Sequence, residues 1–266
     1  MKKQSKPKVV ILCGGRGSRL REETEIRPKP LIEIGQRPIL WHIMKTYAHY
    51  GFNDFVLCLG YKGDLIKEYF LNYEAMNNDF TVKLGQPDSI RLHGNHLENG
   101  WTVTLVDTGR KTQTGARIKR AQKYVDTENF MVTYGDGVGN IDISKLYEYH
   151  LKHKKIGTVT GVHPASRFGE LILTGNHVVE FNEKPQTRAG FINGGFFVFN
   201  KKFFDYLRSD EDCHLELEPI EGLAAKKQLS AYLHDGFWQC MDTQRELDIL
   251  NDLWAAGNAP WAVWDK

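Results

Sequence analysis

Lys8-Val9-Val10-Ile11-Leu12-Cys13-Gly14-Gly15-Arg16-Gly17-Ser18-Arg19-Leu20 is the stretch on which the reading of this chain turns. Residues 9–13 are a short β-branched, apolar run bounded by glycine, the signature of a buried strand. The glycines that follow let the backbone turn tightly and approach a ligand with no Cβ in the way. Exposed N–H groups in such a turn make a cradle for anions. Arg19 adds a guanidinium that can fork onto phosphate oxygens. The first strand of an α/β domain therefore delivers the chain to a polyphosphate.

Two familiar phosphate loops do not fit. A P-loop needs Lys-Ser/Thr after its second glycine, and Gly17-Ser18-Arg19 lacks it. The dinucleotide fingerprint needs a third small residue for close helix packing, and Leu20 stands there. Downstream, Arg27-Pro28-Lys29-Pro30 fixes φ at both prolines and biases Arg27 and Lys29 toward extended backbone. Lys29 then rides on a stiff, extended tether suited to meeting a phosphate. Taken alone, the same segment also reads as a rigid surface turn.

Outward from this start, β and α patterns alternate. Phe55–Leu59, Trp101–Val106 and Asn129–Tyr134 read as strands. Pro38 opens a helix carrying apolar Ile39, Leu40, Ile43, Met44 and Tyr47, and Gly51 closes it. Asp64 reads as the N-cap of a helix to about Tyr73, and a further helix runs from about Gly115 to Tyr124. Repeated βα units imply a largely parallel sheet with right-handed crossovers. The second half is richer in β: Glu170–Leu173 and Val178–Phe181 flank a hairpin turn at 174–177, and Phe196–Phe199 is another strand. Thr243 with Glu246 predicts a capping box for a helix to about Ala256. The polar stretch 77–100 reads as a long excursion or flap.

A chain of 266 residues accommodates one large α/β domain or two small ones, and its net charge of +2 argues against nucleic acid as an obligatory partner. No apolar run reaches membrane-helix length, and the five apolar residues after the basic start are too few for a signal peptide. The four cysteines, Cys13, Cys58, Cys213 and Cys240, show no zinc spacing, so a reducing cytoplasm is the expected compartment. His150 and His153 share a helix face and, without a third ligand, read as solvated surface.

Tyr134-Gly135-Asp136-Gly137 follows a strand, where ligand sites of open parallel sheets lie. Mg²⁺ takes one or two carboxylates beside substrate phosphates. Asp136 offers one. Asp242, just before a helix, offers a second, although a turn and a helix-dipole partner are the plainer readings of each. Glu183-Lys184-Pro185 again sets a lysine before a proline. Asn193-Gly194-Gly195 and Glu218 are suited to sugar hydroxyls, and Thr114-Gly115-Ala116-Arg117 brings an arginine to a helix start.

Together, Gly14-Gly15-x-Gly17-Ser18-Arg19-Leu20 and Pro28-Lys29-Pro30 resemble the signature of the sugar-1-phosphate nucleotidyltransferases. The stretches 38–44, 60–63, 106–109, 134–137, 192–197 and 236–243 narrow the resemblance to the glucose-1-phosphate cytidylyltransferases. It implies a Rossmann-like, mostly parallel mixed sheet flanked by helices, with a smaller β-rich sugar-binding lobe. It implies a single nucleotidyltransferase domain over 1–266. The nucleotide-binding half would span about 1–140, and the sugar-phosphate and oligomerisation half about 141–266. CTP would meet Leu12, Gly14, Gly15, Gly17, Ser18, Arg19, Lys29, Thr108, Gly115, Arg117 and Asp136. Glucose 1-phosphate would meet Tyr134, Glu183, Lys184, Asn193, Gly194 and Glu218. Asp136 and Asp242 would hold Mg²⁺, with Arg19, Lys29, Asp136 and Lys184 catalytic and a homo-oligomer, a hexamer, as the assembly. Cys13 replaces a usual alanine, and Ala116 a usual glycine beside Arg117.

The expected reaction is attack by a phosphate oxygen of glucose 1-phosphate on the α-phosphorus of CTP, with pyrophosphate leaving. Arg117 is expected to favour cytosine by donating to its acceptor edge; the alternative is that it caps carbonyls or touches ribose or phosphate. The rivals are a uridylyl- or thymidylyltransferase and a catalytically silent nucleotide-sugar-binding regulator.

Overall fold

Val9–Cys13 is buried along its whole length and pairs in parallel on both sides. Val9 lies opposite Phe55 of one neighbour and Met131 of the other, so apolar side chains on both faces meet protein. This is the burial that the unbroken apolar run predicts. The computed structural model describes residues 6–17, 19–86, 89–94, 98–164, 170–174, 177–182 and 190–265.

The central sheet has seven strands. From edge to edge they are Leu229–His234, Gly157–Val162, Ile192–Asn200, Asn129–Tyr134, Val9–Cys13, Asp54–Leu59 and Thr102–Asp107. Ile192–Asn200 runs against both of its neighbours, and the other pairings are parallel. The mostly parallel mixed sheet is the predicted one. Because Ile192–Asn200 is reversed, its beginning lies at the edge where the parallel strands end. Val162 stands opposite Ile192, so the chain leaves the sheet after Val162 and re-enters at the adjacent rung.

Helices cover both faces. Val9, Ile11, Phe55 and Leu57 pack toward the helix Ile39–His49. Val10, Leu12, Val56 and Cys58 pack toward Ala116 and Ile118 of the helix Thr114–Ala121. Ile39–His49 is buried from Ile39 to Tyr47, so its polar residues need internal partners. Lys45 Nζ and Trp41 Nε1 donate to Glu98 Oε1 at 3.0 and 3.1 Å, which ties the end of the polar excursion to this helix.

Several boundaries differ from the sequence reading. The helix expected from Asp64 begins at Gly63 and ends at Leu71, with Lys62 at φ 51° before it. Asp64 sits in the first turn, where its charge suits the helix dipole. The helix expected to reach Tyr124 ends at Ala121 and tightens into a 3₁₀ turn over Gln122–Tyr124. Gly157–Val162 and Leu229–His234 join the sheet although glycine, serine and threonine dilute their apolar pattern. His150 is not solvated: it is 3% exposed, with Nδ1 2.8 Å from Thr158 Oγ1, and burial lowers its pKa to about 4. The capping box at Thr243 and Glu246 forms as expected. The hairpin strands are Glu170–Thr174 and His177–Asn182; Gly175-Asn176 of its turn lies outside the described residues.

Candidate active site

Two hollows open at the end of the sheet where Val9–Cys13 and Asn129–Tyr134 finish. The larger, about 580 Å³, is lined by Leu12, Gly14, Gly15, Gly17, Arg19 and Lys29 on one side and by Gln113, Thr114 and Glu216 on another. The smaller, about 340 Å³, is lined by Ile192, Gly194, Trp238 and Cys240. Tyr134, Asp136 and Asp242 belong to the walls of both. The glycine loop reaches the larger hollow because Gly17 turns at φ 62°, a left-handed geometry that glycine adopts freely.

Local pairing brings the two aspartates together. Gly137–Gly139 runs antiparallel to Trp238–Cys240, with Gly137 opposite Cys240. The Met241 N–H donates to the Asp136 carbonyl at 2.8 Å, which seats Asp242 beside Asp136. The capping box then fixes Asp242 from the other side: Glu246 Oε2 accepts from the N–H groups of Asp242 and Thr243 at 2.7 and 2.8 Å. Lys29 Nζ bridges the carboxylates, 2.6 Å from Asp136 Oδ2 and 2.5 Å from Asp242 Oδ1. Arg19 Nη1 lies 2.7 Å from Asp242 Oδ2. Burial opposes the charge on Lys29, but the Asp136 charge and the hydrogen bonds that Lys29 donates to both carboxylates prevail and raise its pKa. Burial likewise opposes the charge on Asp242, and Lys29 followed by Arg19 prevails and lowers its pKa.

Lys29 is not on an extended tether. Pro28 is extended, but Lys29–Leu31 forms a 3₁₀ turn in which Leu31 N–H donates to Pro28 O at 2.8 Å and Ile32 N–H to Lys29 O at 3.0 Å. These turn bonds outweigh the bias that Pro30 places on its predecessor. The stiffness survives in a different geometry.

The carboxylate pair suits a divalent cation. Two carboxylate oxygens that share one ammonium converge on a cation-sized point, and Mg²⁺ uses one or two carboxylates. Among the described residues there is no group of three or more acidic, histidine or cysteine side chains poised for a metal. The remaining ligands of such a cation would be substrate phosphates and water.

Arg117 departs from its expected part. It lines the larger hollow but is only 4% exposed. Its Nη1 is 2.9, 2.8 and 2.7 Å from Leu59 O, Thr108 Oγ1 and Gly109 O, and Nη2 is 3.0 Å from Gly14 O. A buried guanidinium needs acceptors, and three carbonyls and a hydroxyl supply them here. The alternative role, carbonyl capping, is the one its geometry takes. Gly14 is glycine for the same reason, because a Cβ there would sit 2.2 Å from Arg117 Cζ. Thr108 does not line the hollow: it is 1% exposed and donates to Leu59 O at 2.6 Å. Gly115 does not line it either; a Cβ there would crowd Cys213 Sγ at 2.8 Å.

On the facing wall, Tyr134 OH donates to Glu216 Oε1 at 2.5 Å and accepts from Asn193 Nδ2 at 3.3 Å. Thr114 Oγ1 donates to Glu216 Oε2 at 2.8 Å. Burial, and then the Glu216 charge, raise the Tyr134 pKa, so its hydroxyl remains a donor. Trp238 Nε1 donates to Gly194 O at 2.8 Å and closes the smaller hollow.

The sequence pattern of the nucleotidyl transferase family matches residues 8–243. The chain belongs to that family. This nucleotidyltransferase is 47% identical over 259 residues to the glucose-1-phosphate cytidylyltransferase of Salmonella typhimurium, covering 97% of this chain and 100% of the relative. It is 44% identical to the probable glucose-1-phosphate cytidylyltransferase of Bacillus subtilis, over 97% of this chain and 100% of that one. HddC from Yersinia pseudotuberculosis shares its fold, with a TM-score of 0.67 at 23% identity over 94% of this chain and 100% of the other. A putative glucose-1-phosphate thymidylyltransferase from Bacillus anthracis does so with a TM-score of 0.67 at 21% identity, over 93% and 95% of the two chains.

The nucleotidyltransferase thus brings Leu12, Gly14, Gly15, Gly17, Arg19, Lys29, Tyr134, Asp136 and Asp242 around one hollow, with Gly194 at the adjoining one. Ser18, Glu183 and Lys184 lie outside the described residues. Glu218 is turned away from both hollows and pairs with Arg208 Nη1. Glu216 lines the larger hollow, whereas Glu218 lines neither. The run Leu215-Glu216-Leu217-Glu218 alternates on paper, but only Leu215 is buried, and Leu217 is 52% exposed. The proline after Glu218 starts a helix and carries that glutamate out on its first turn.

Proposed function

We propose that this nucleotidyltransferase transfers CMP from CTP to glucose 1-phosphate, giving CDP-glucose and pyrophosphate. The observation that carries the reading is the shared wall. Asp136, Asp242 and Tyr134 stand between a larger hollow sized for a nucleotide and a smaller one sized for a sugar. The names of the Salmonella typhimurium and Bacillus subtilis relatives support the choice of CTP and glucose 1-phosphate.

The nucleophile is already an anion, so no general base is required. The barrier lies in bringing two anions together, and catalysis is positioning with charge neutralisation. The glycine loop offers backbone N–H groups to the CTP phosphates, and Lys29 holds the α-phosphate. Arg19 neutralises the charge that grows on departing pyrophosphate. Mg²⁺ on Asp136 and Asp242 would supply further neutralisation of the reacting phosphate. Tyr134 and Gly194 line the acceptor side, with Asn193 hydrogen-bonded to the Tyr134 hydroxyl, and Lys184 is the proposed partner of the sugar phosphate. Arg117 braces the nucleotide loop through the Gly14, Leu59 and Gly109 carbonyls that it holds. Among the described residues no helix is long and apolar enough to cross a membrane. On the family resemblance and the unpaired cysteines, we place the enzyme in the cytoplasm as a homo-oligomer.

Pyrophosphate release from CTP, UTP, dTTP and ATP with glucose 1-phosphate, with and without Mg²⁺, tests this reading. CTP should be strongly preferred and Mg²⁺ required. Equal use of UTP or dTTP would overturn the assignment to CDP-glucose, and binding without turnover would favour the regulator.

A further inference from the structure

We infer that Lys29 is an internal counter-ion that closes the metal position until the nucleotide arrives, so that the divalent cation enters only in company with the CTP phosphates. This rests on the proposed function and adds an order of events to it. Lys29 Nζ occupies the point on which Asp136 Oδ2 and Asp242 Oδ1 converge. Metal–oxygen distances for Mg²⁺ are about 2.0–2.1 Å, so the carboxylates would close by only about half an ångström to take a metal instead. Ammonium and metal compete for one hole.

Charge favours the ammonium in the free chain. Two carboxylates face two cations, Lys29 and Arg19, and the cluster is neutral. A lone divalent cation would have to expel an ammonium whose side chain is 10% exposed, and would give it no anion in return. CTP changes both sides of this exchange. Its phosphates, seated along the glycine loop, lie in the hollow that Lys29 and Arg19 already line. The ammonium can pivot on its flexible stem from carboxylate to phosphate while its backbone stays in the 3₁₀ turn. Arg19, whose side chain is 71% exposed, follows with little desolvation. The two aspartates are then left with an uncompensated double charge that a divalent cation matches.

The experiment is Mn²⁺ uptake by the nucleotide-free full chain, read as loss of the free aqueous Mn²⁺ signal in electron paramagnetic resonance. Wild type should leave Mn²⁺ free. Lys29→Met keeps the length and removes the charge, and should take up one Mn²⁺ per chain at least about tenfold more tightly. Lys29→Arg restores the charge and should close the site again. Adding Asp136→Asn to Lys29→Met should abolish the uptake. Thermal melting of each variant checks folding, and the wild-type measurement stands without any variant. Tight uptake by nucleotide-free wild type that Asp136→Asn removes would overturn the inference, as would Lys29→Met binding no better than wild type. Pyrophosphate release from CTP in that case would leave the proposed reaction standing. Absence of release from every nucleotide would remove the reaction while saying nothing about Mn²⁺ uptake.

Discussion

Two buried cations lie beneath the same glycine loop and do opposite work. Lys29 faces carboxylates, which raise its pKa against the cost of burial. Arg117 faces carbonyls and a hydroxyl, and burial lowers its pKa. A carboxylate partner is itself a ligand for other cations, so the Lys29 contact can be exchanged. Carbonyl dipoles spread among Gly14, Leu59 and Gly109 belong to three separate segments, and the arginine that joins them is a brace. The lesson is that a charged side chain in a cavity wall is assigned by what it touches, not by its charge.

The largest break in this comparison comes from the exchangeable side. Asp136→Asn and Asp242→Asn keep the shape and lose the charge, and each should lower kcat by on the order of 10²–10³ or more. Each variant should stay folded, with a lowered melting temperature because Lys29 loses half of its compensating charge. Near-normal turnover with unchanged Mg²⁺ dependence in either variant would remove that residue from the metal position.

The braced side should answer in stability first. Arg117→Met removes four buried hydrogen bonds, although Leu59 O keeps Thr108 and Gly14 O keeps the Tyr61 N–H, and should cost about 2–4 kcal/mol while slowing all nucleotides alike. Gly14→Ala should also destabilise, since its Cβ would meet the guanidinium at 2.2 Å. In the double variant the two costs should fall short of their sum by about 1–3 kcal/mol, because removing the guanidinium makes room for the methyl. Denaturant unfolding of the four chains reads this directly. A variant at Arg117 that melts normally and slows CTP alone would return the arginine to base selection.

The smallest effect is expected across the wall. Tyr134→Phe deletes the hydroxyl 2.5 Å from Glu216, and should raise the KM for glucose 1-phosphate on the order of tenfold with CTP binding unchanged. Calorimetry with CTP followed by kinetics in the sugar phosphate separates the two. Equal damage to both substrates would mean that the two hollows do not divide the substrates between them.

What was legible in the sequence is what local chemistry determines. The run 9–13 before three glycines, the aspartate after a strand, and the Thr243–Glu246 box are each complete within a few residues. Their meeting is not local: it depends on Gly137 pairing with Cys240, which no composition announces. The partners of Arg117 were not legible because three of its acceptors lie at Gly14, Leu59 and Gly109, two of them far upstream in the chain. Glu216 and Glu218 differ only in which neighbour is buried, a property of tertiary packing. His150 looked like surface because its partners, Thr158 and Asn129, sit on two different strands.

The reversed strand has a consequence for how such a protein can change. The segment 163–191 departs after Val162 and rejoins at Ile192, its partner across the ladder. A loop anchored on neighbouring rungs can be lengthened, trimmed or exchanged at a closure cost that grows only with the logarithm of its length. The sheet and the nucleotide side need not refold. That segment is thus a replaceable cassette rooted at Ile192 on the wall of the smaller hollow, while the residues that line the larger one stay behind on the unbroken frame.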